Sequence, residues 1–314
     1  MQNMIKFDLP SDEPAGALVL GIGVFDGVHN GHRKIISELV EMGQRAGALP
    51  VAVTFIPHPR EVLGPPPPPR LLMPPEVRIR RLLEAGAAGI GIIGFSEQIA
   101  ETTPREFIEA LLTPQHQICG ICVGSRWRFG RHGTGDAAFL SGELVRRGIA
   151  FNAVPEVRVG AEIVSSSMIR EAIAAGDLAG AFSMLGSRPK LYGSVERGHR
   201  VAGSVLQAPT ANLHVEYGVL PPNGVYVTRV AISGKNFPAV TNIGFAPTFG
   251  TGEDRRVETH IIGFSGDLYQ QKLAVELVAK LRDEKTFASA ADLKVQISAD
   301  IDNAKRILSS EVNK

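Results

Sequence analysis

Through the first 187 residues, short apolar runs alternate with helix-patterned segments, and after Ser187-Arg188-Pro189 the alternation stops for about a hundred residues. Strands separated by helices pair in parallel through crossover connections, whereas strands separated only by turn residues pair with antiparallel neighbours. One chain must therefore build two cores of different kinds. Its 314 residues leave room for two domains at about 150 residues each. The change of texture predicts a boundary between residues 1–187 and 188–314.

In the first part Ala17–Val24, Val51–Phe55, Gly89–Phe95, Gln117–Val123 and Phe151–Val157 read as strands. Arg33–Gln44, Val77–Leu83, Thr103–Leu112 and Asp136–Arg147 read as helices. Thr103-Pro104-Arg105-Glu106 is a capping box with proline at the first helical position. Ser166–Leu185 is helical twice, with Gly176 ending one helix and Asp177 capping the next. These elements predict a doubly wound α/β domain. Beyond Pro189, the β-leaning runs are Tyr192–Val195, Gly224–Ile232, Ala239–Ile243, Val257–Phe264 and Leu273–Leu281. They predict an antiparallel barrel or sandwich. A closing amphipathic helix carries Leu293, Ile297, Ile301, Ala304 and Leu308 on one stripe.

Composition narrows the partners. With 33 Lys+Arg against 32 Asp+Glu and 44% hydrophobic residues, the chain has the balance of a soluble globular protein rather than a disordered one. The charge balance holds on both sides of residue 190, so neither nucleic acid nor an anionic membrane is expected as a partner. The apolar stretch near Ala15–Phe25 is too short to span a bilayer. The first residues carry no secretory pattern, and a cytoplasmic location is expected. Cys119 and Cys122 lie three apart in a strand-like run, on opposite faces, and read as buried inert thiols. The proline run 65–69 reads as a stiff polyproline spacer.

Two constellations carry chemistry. The segment Gly21–His32 sits where the first strand hands over to the first helix, the edge at which open α/β sheets bind ligands. Its glycines let a phosphate approach the backbone, and the helix start offers free N–H groups. His29 and His32 are placed to donate to a phosphate whose charge grows in a transition state. No Gly-Lys-Ser/Thr follows, so a Walker A loop is excluded. Val164–Arg170 adds hydroxyls at a helix start with Arg170 one turn in; it is either a phosphate clamp or a plain cap. In the strand-rich part, Thr210 and Asn212 offer neutral oxygens suited to Mg²⁺ held mainly through phosphates. Glu258 on a strand is either a base for an alcohol attacking ATP or part of a solvated face.

Motifs in both parts resemble the bacterial bifunctional riboflavin kinase/FAD synthetase family. In the first part they are Gly23-x-Phe25-Asp26-Gly27-x-His29-x-Gly31-His32, Thr54-Phe55-x-Pro57-His58-Pro59, Val123-Gly124 with Arg128-Phe129-Gly130, and Ser165-Ser166-Ser167-x-Ile169-Arg170. In the second they are Pro209-Thr210-Ala211-Asn212, Gly224-Val225-Tyr226, Asn242-x-Gly244-x-x-Pro247-Thr248-Phe249 and Leu281-Arg282-x-Glu284-x-x-Phe287.

The resemblance implies a Rossmann-like nucleotidyltransferase domain that adenylylates FMN, then a six-stranded antiparallel barrel with a C-terminal helix that phosphorylates riboflavin. It implies that His29 and His32 contact ATP phosphates, with Gly23, Phe25, Asp26 and Gly31 in the same ATP site. Ser165, Ser166 and Arg170 would hold the departing pyrophosphate, and His58 and Arg128 would line the nucleotide and flavin-phosphate site. In the kinase half it implies ATP binding at Gly198, Pro209, Thr210 and Asn212, Mg²⁺ at Thr210 and Asn212, Glu258 as general base and Arg282 beside the flavin. Riboflavin, FMN and ATP follow as substrates; self-association stays open. Two segments depart from the family pattern. Arg126 stands where an Asn or Asp is usual, and Gly203–Ala208 lacks the usual Gly-Arg-x-Leu-Gly-Phe. A flavin- or nucleotide-binding protein with one impaired catalytic half is the alternative.

Overall fold

Leu18–Ile22 is buried along its whole length, as a strand covered by helices on both faces must be. It is β2 of the computed structural model, which describes residues 5–9, 16–112, 116–196, 210–245 and 255–312. By Cα proximity the chain divides into two compact units, residues 1–69 with 74–166 and residues 70–73 with 167–314.

The first unit holds β1 (Ile5–Asp8), β2, α1 (Asn30–Ala46), β3 (Leu49–Ile56), α2 (Pro59–Leu63), α3 (Pro75–Glu84), β4 (Gly89–Gly94), α4 (Glu97–Ala100), α5 (Pro104–Leu111), β5 (Ile118–Gly124), α6 (Ala137–Val145) and β6 (Ala150–Val154). A small hairpin of β7 (Arg158–Val159) and β8 (Glu162–Ile163) follows. The sheet order is β1-β4-β3-β2-β5-β6. All pairs are parallel except β1 with β4. The chain winds from β2 toward β4 and then restarts on the other side at β5, so the winding reverses between β2 and β5. The crevice beyond the carboxyl ends of those two strands is where such sheets bind ligands. Strand β1 lay outside the expectation; four residues on an edge are too few to show a period.

On one face, Leu20, Val53, Ile121 and Val123 pack with Phe107, Ile108 and Leu111 of α5 and Leu140 and Leu144 of α6. On the other face α1 comes close enough that a Cβ on Gly21 would meet Leu39 Cδ2 at 2.7 Å. That glycine is a packing requirement. The expected capping box forms: Thr103 accepts from Glu106 N–H, and the Glu106 carboxylate accepts from Thr103 N–H at 2.8 Å. Such a cap contributes about 1 kcal/mol. The α5 and α6 helices are further tied by Glu143, whose side chain is 4% exposed and bonds Arg105, Arg146 and Arg147. These arginines hold its carboxyl down to about 2.

The second unit contains most of α7 (Ser166–Ala175), then α8 (Leu178–Leu185), β9 (Lys190–Glu196), β10 (Thr210–Tyr217), β11 (Gly224–Ile232), β12 (Lys235–Phe245), β13 (Arg255–Ile261), β14 (Lys272–Arg282) and a last helix, Ala290–Val312. The six strands close into an antiparallel barrel in the order β10-β13-β12-β11-β14-β9. Five were expected from apolar runs. The sixth, β10, alternates Ala211, Leu213 and Val215 with Asn212, His214 and Glu216, and that polar half conceals it in sequence.

The barrel interior is filled by Leu191, Leu213, Tyr226, Val230, Ile243, Val257, Val275 and Leu277. It also encloses a line of hydroxyls, Thr228 to Thr241 at 2.8 Å and Thr241 to Thr259 at 3.0 Å, all with 0% exposure. Replacing one of them by valine strands its neighbours at about 1–3 kcal/mol. Outside the barrel, Val225, Val227, Val240 and Val278 pack beneath Ala304 and Leu308 of the last helix. That is the stripe expected from periodicity. Ile301 packs there too, whereas Leu293 and Ile297 line a cleft instead.

Candidate active sites

The chain leaves β2 through a turn no ordinary loop would take. Phe25 and Val28 have φ of 55° and 41°, with Gly27 at 89° between them. Left-handed backbone at non-glycine residues costs about 1–3 kcal/mol each and persists only where the surroundings impose it. Here Phe25 and Val28 are both fully buried, and Asp26 is 1% exposed. The Asp26 carbonyl accepts from the Ser166 hydroxyl at 2.8 Å, which ties the start of α7 to this turn. Ser166 thus uses its hydroxyl on the turn. Farther along α7, Arg170 donates from Nε to the Arg70 carbonyl at 2.8 Å.

His29 caps α1, its Nδ1 accepting from His32 N–H at 3.3 Å. An accepting Nδ1 leaves the proton of a neutral imidazole on Nε2. The His29 and His32 rings stack with centroids 3.5 Å apart, and Phe25 meets His32 edge-on at 5.2 Å. Gly31 makes the stack possible, because a Cβ there would come within 3.1 Å of the His29 ring. Burial holds the His32 pKa well below the ordinary histidine value, and the neighbouring His29 and Arg78 act in the same direction. His32 is therefore neutral at pH 7, and its buried Nδ1 has no hydrogen-bond partner among the described residues.

Arg78 was not foreseen. It is 2% exposed and donates to the carbonyls of Val24 at 2.9 Å and Phe55 at 3.1 Å. These carbonyls lie at the ends of β2 and β3, so one guanidinium joins the strand ends behind the turn. No spacing within α3 singles it out, since Arg81 stands four residues from buried Val77 as Arg78 stands four from buried Leu82.

Beside this turn lies a cleft of about 480 Å³ lined by Val24, Phe55, Phe95, Phe107, Trp127 and Arg128, among others. Trp127 stacks on Phe129 at 4.7 Å and 12°, giving one flat aromatic wall. Arg128 pairs with Asp136 at 3.2 Å. The departure at Arg126 is met by an ion pair with Glu156. His58 caps α2, its Nδ1 accepting from Arg60 N–H at 3.0 Å, and Pro59 beside it lines the cleft. Cys122 bonds the Ile35 carbonyl, and burial pushes its thiol up to about 12, so it is unreactive.

The barrel builds its site from register. On β10, β13 and β12, Asn212 lies opposite Glu258 and Glu258 opposite Asn242. One step along, Thr210 lies opposite His260 and His260 opposite Val240. Directly opposed residues share a face with Cβ atoms about 4.5–5.5 Å apart. Val257, Thr259 and Ile261 are buried, so Glu258 and His260 point outward. The two rows set a carboxylate between two amides, with a hydroxyl and an imidazole beside them.

Thr210, Asn242, Glu258 and His260 form one wall of a cleft of about 230 Å³, and Phe287, Leu293 and Ile297 are on its lining too. Arg282 also reaches it. Its guanidinium grips Asp300 of the last helix, from Nε at 3.1 Å and from a terminal nitrogen at 2.8 Å, and Gln296 donates to the same carboxylate at 2.9 Å. Arg282 also lies 5.9 Å from the Phe287 ring centre. Burial lowers the pKa of His260, and its Nδ1 has no hydrogen-bond partner among the described residues. Asn242, which the sequence offered only as part of a motif, lines the site beside Glu258, and Asp300 joins it without having been foreseen. Gly198, Pro209, Gly203–Ala208 and Pro247–Phe249 lie outside the described residues.

A family model for FAD synthetase matches residues 11–168, and one for riboflavin kinase matches residues 185–308. The bifunctional riboflavin kinase/FMN adenylyltransferase of Pseudomonas fluorescens is 34% identical over 292 residues, covering 92% of each chain. That of Escherichia coli K12 is 33% identical over 291 residues, again covering 92% of each. That of Bacillus subtilis is 29% identical over 299 residues and 93% of each. Among solved structures, one described as a macrolide-efflux protein from Streptococcus pneumoniae superposes with a TM-score of 0.82 at 28% identity, over 95% of this chain and 96% of that one. In the present chain no helix among the described residues is long and apolar enough to cross a membrane.

Proposed function

This chain belongs to the bifunctional riboflavin kinase/FMN adenylyltransferase family, and we propose that its two units convert riboflavin to FMN and FMN to FAD. The observation that carries this reading is the pairing of two family matches, in order, with two separate clefts. The working division of the two activities is 1–187 and 188–314, close to residue 185, where the riboflavin-kinase match begins.

In the kinase half, Glu258 accepts the proton of the riboflavin 5′-hydroxyl as its oxygen bonds the γ-phosphorus of ATP and ADP departs. Asn212 and Asn242, opposite Glu258 on either side, orient the carboxylate and the hydroxyl. Thr210 and Asn212 would hold Mg²⁺. Their neutral oxygens beside one carboxylate fit an ion that keeps most of its water and is held mainly by phosphate. When bound, such an ion neutralises charge on the phosphates. Phe287, Leu293 and Ile297 receive the isoalloxazine ring, and Arg282 stands at its edge.

In the adenylyltransferase half, a phosphate oxygen of FMN bonds the α-phosphorus of ATP as pyrophosphate leaves. FMN phosphate is already anionic, so this step needs electrostatic stabilisation more than a base. His29 donates from Nε2 to the ATP phosphates, next to neutral His32 and the buried charge of Arg78. Gly23, Phe25, Asp26 and Gly31 shape the phosphate-facing turn, and the start of α7, with Ser165, Ser166 and Arg170, holds the leaving pyrophosphate. The aromatic wall of Trp127 and Phe129 takes the flavin, and His58 and Arg128 lie toward its phosphate.

Incubating the protein with riboflavin and Mg-ATP and separating the flavins should yield FMN and then FAD. Formation of neither would overturn the reading. FMN without FAD, or FAD from supplied FMN alone, would leave one half impaired.

A further inference from the structure

Arg78 is buried behind the histidine turn and does not line the cleft beside it. We propose that Arg78 is a positioning residue for adenylyl transfer: by holding the Val24 carbonyl, it aims the Phe25 N–H at the phosphates of ATP. This deepens the FMN adenylyltransferase reading and rests on it.

Three observations carry the assignment. First, the sheet releases the chain at this point and side chains take over. The Gly23 N–H still donates to the Val53 carbonyl at 3.0 Å. The Val24 carbonyl instead accepts from Arg78 at 2.9 Å and from the Thr54 hydroxyl at 3.0 Å. A second nitrogen of Arg78 is anchored on the Phe55 carbonyl at 3.1 Å, which braces the hold against β3. Second, in a planar trans peptide the carbonyl and the N–H that follows it point in opposite directions. Drawing the Val24 carbonyl toward α3 therefore turns the Phe25 N–H away from α3. Ser166 holds the Asp26 carbonyl at 2.8 Å and fixes the Gly27 N–H in the same manner. Neither N–H meets an acceptor among the described residues. Two such donors on a left-handed turn, Phe25 at φ 55° and Gly27 at φ 89°, suit the kind of backbone concavity that takes anions. Third, the group behind the turn is a cation. Burying a guanidinium is costly, and the neutral Thr54 hydroxyl shows that a carbonyl here is held without one. The charge adds positive potential behind donors that face phosphate.

The test reads kcat and the KM for FMN in FAD formation by the full chain, at saturating Mg-ATP. R78M removes the donors and the charge, R78K keeps the charge and one donor group, and T54V removes only the second hold on the Val24 carbonyl. R78M should lower kcat about 10²- to 10³-fold. Its KM for FMN should stay within about three-fold, because the hold acts on ATP and not on the flavin. R78K should bring kcat back to within about ten-fold of the parent. T54V should cost about three- to ten-fold in kcat, again without moving the KM. Emission from Trp127, the chain's only tryptophan, which stacks on Phe129 in the cleft, reports whether the α/β unit of each variant is folded. An unchanged kcat in R78M, a KM that rises as kcat falls, or an R78K no better than R78M would overturn the assignment. Should R78M fail to fold, T54V decides, and a parental kcat there overturns it. If the unaltered chain forms no FAD from supplied FMN, the adenylyltransferase reading itself fails; if it does and the variants break the pattern, only the role of Arg78 falls.

Discussion

The α/β turn and the barrel face are built from opposite materials. In the α/β unit the polar groups sit on a strained turn and a helix start, enclosed by Phe25 and the buried Arg78. In the barrel they are side chains on three regular strands, fixed by register and open to a cleft. The difference follows the chemistry assigned to each. Transfer to an anionic phosphate needs fixed donors and a neutral imidazole, which burial supplies. Deprotonating an alcohol needs a carboxylate that stays reachable.

The sharpest way to break this contrast is at Glu258. Glu258→Gln should lower FMN formation about 10²- to 10⁴-fold and leave FAD formation from supplied FMN within two-fold. Parallel loss of both activities would mean that the two sites do not work separately. At the turn, His29→Ala should lower FAD formation about 10²- to 10³-fold and also remove the cap of α1, at about 1 kcal/mol. His29→Asn separates those effects, since asparagine caps well but has no imidazole. It should keep the melting temperature and still lose FAD formation, and restored activity in His29→Asn would show the cap to be all that matters.

The smallest effects concern acid, and two of them lie in the α/β unit. His32 has a lowered folded pKa, so the unfolded chain takes up its proton first, and stability is lost as pH falls below about 6.5. Glu143 has its folded pKa depressed to about 2 from 4.5; its contribution is present above 4.5 and disappears as pH falls through about 2. Thermal melts of Glu143→Gln against the parent should show a deficit at pH 7 that closes near pH 2. A deficit that stays constant with pH would contradict the ionic account of the α5–α6 contact.

What the sequence made legible was local. Gly224–Ile232 is the strand its apolar run marks, and the Thr103 capping box forms on the side chains that announce it. The histidine pair could be placed on a strand-to-helix turn because glycines punctuate it. The concealed features depend on distance. Arg78 joins strand ends 54 and 23 positions away, and no spacing within α3 tells what it will meet. The row Asn212–Glu258–Asn242 exists only through the pairing of three strands. Ser166 was open to two readings, clamp or cap, and its bond to the Asp26 carbonyl was neither, because that partner is 140 positions away.

The last helix supplies one side of the barrel cleft through Leu293, Ile297 and Asp300. Whatever fills the cleft also becomes part of the surface on which that helix rests. Occupancy and docking of the helix are then a single equilibrium seen from two ends. An occupant at a hundred times its dissociation constant deepens the docked state by about 2.7 kcal/mol, so the far end of the chain is held most firmly while the cleft is in use.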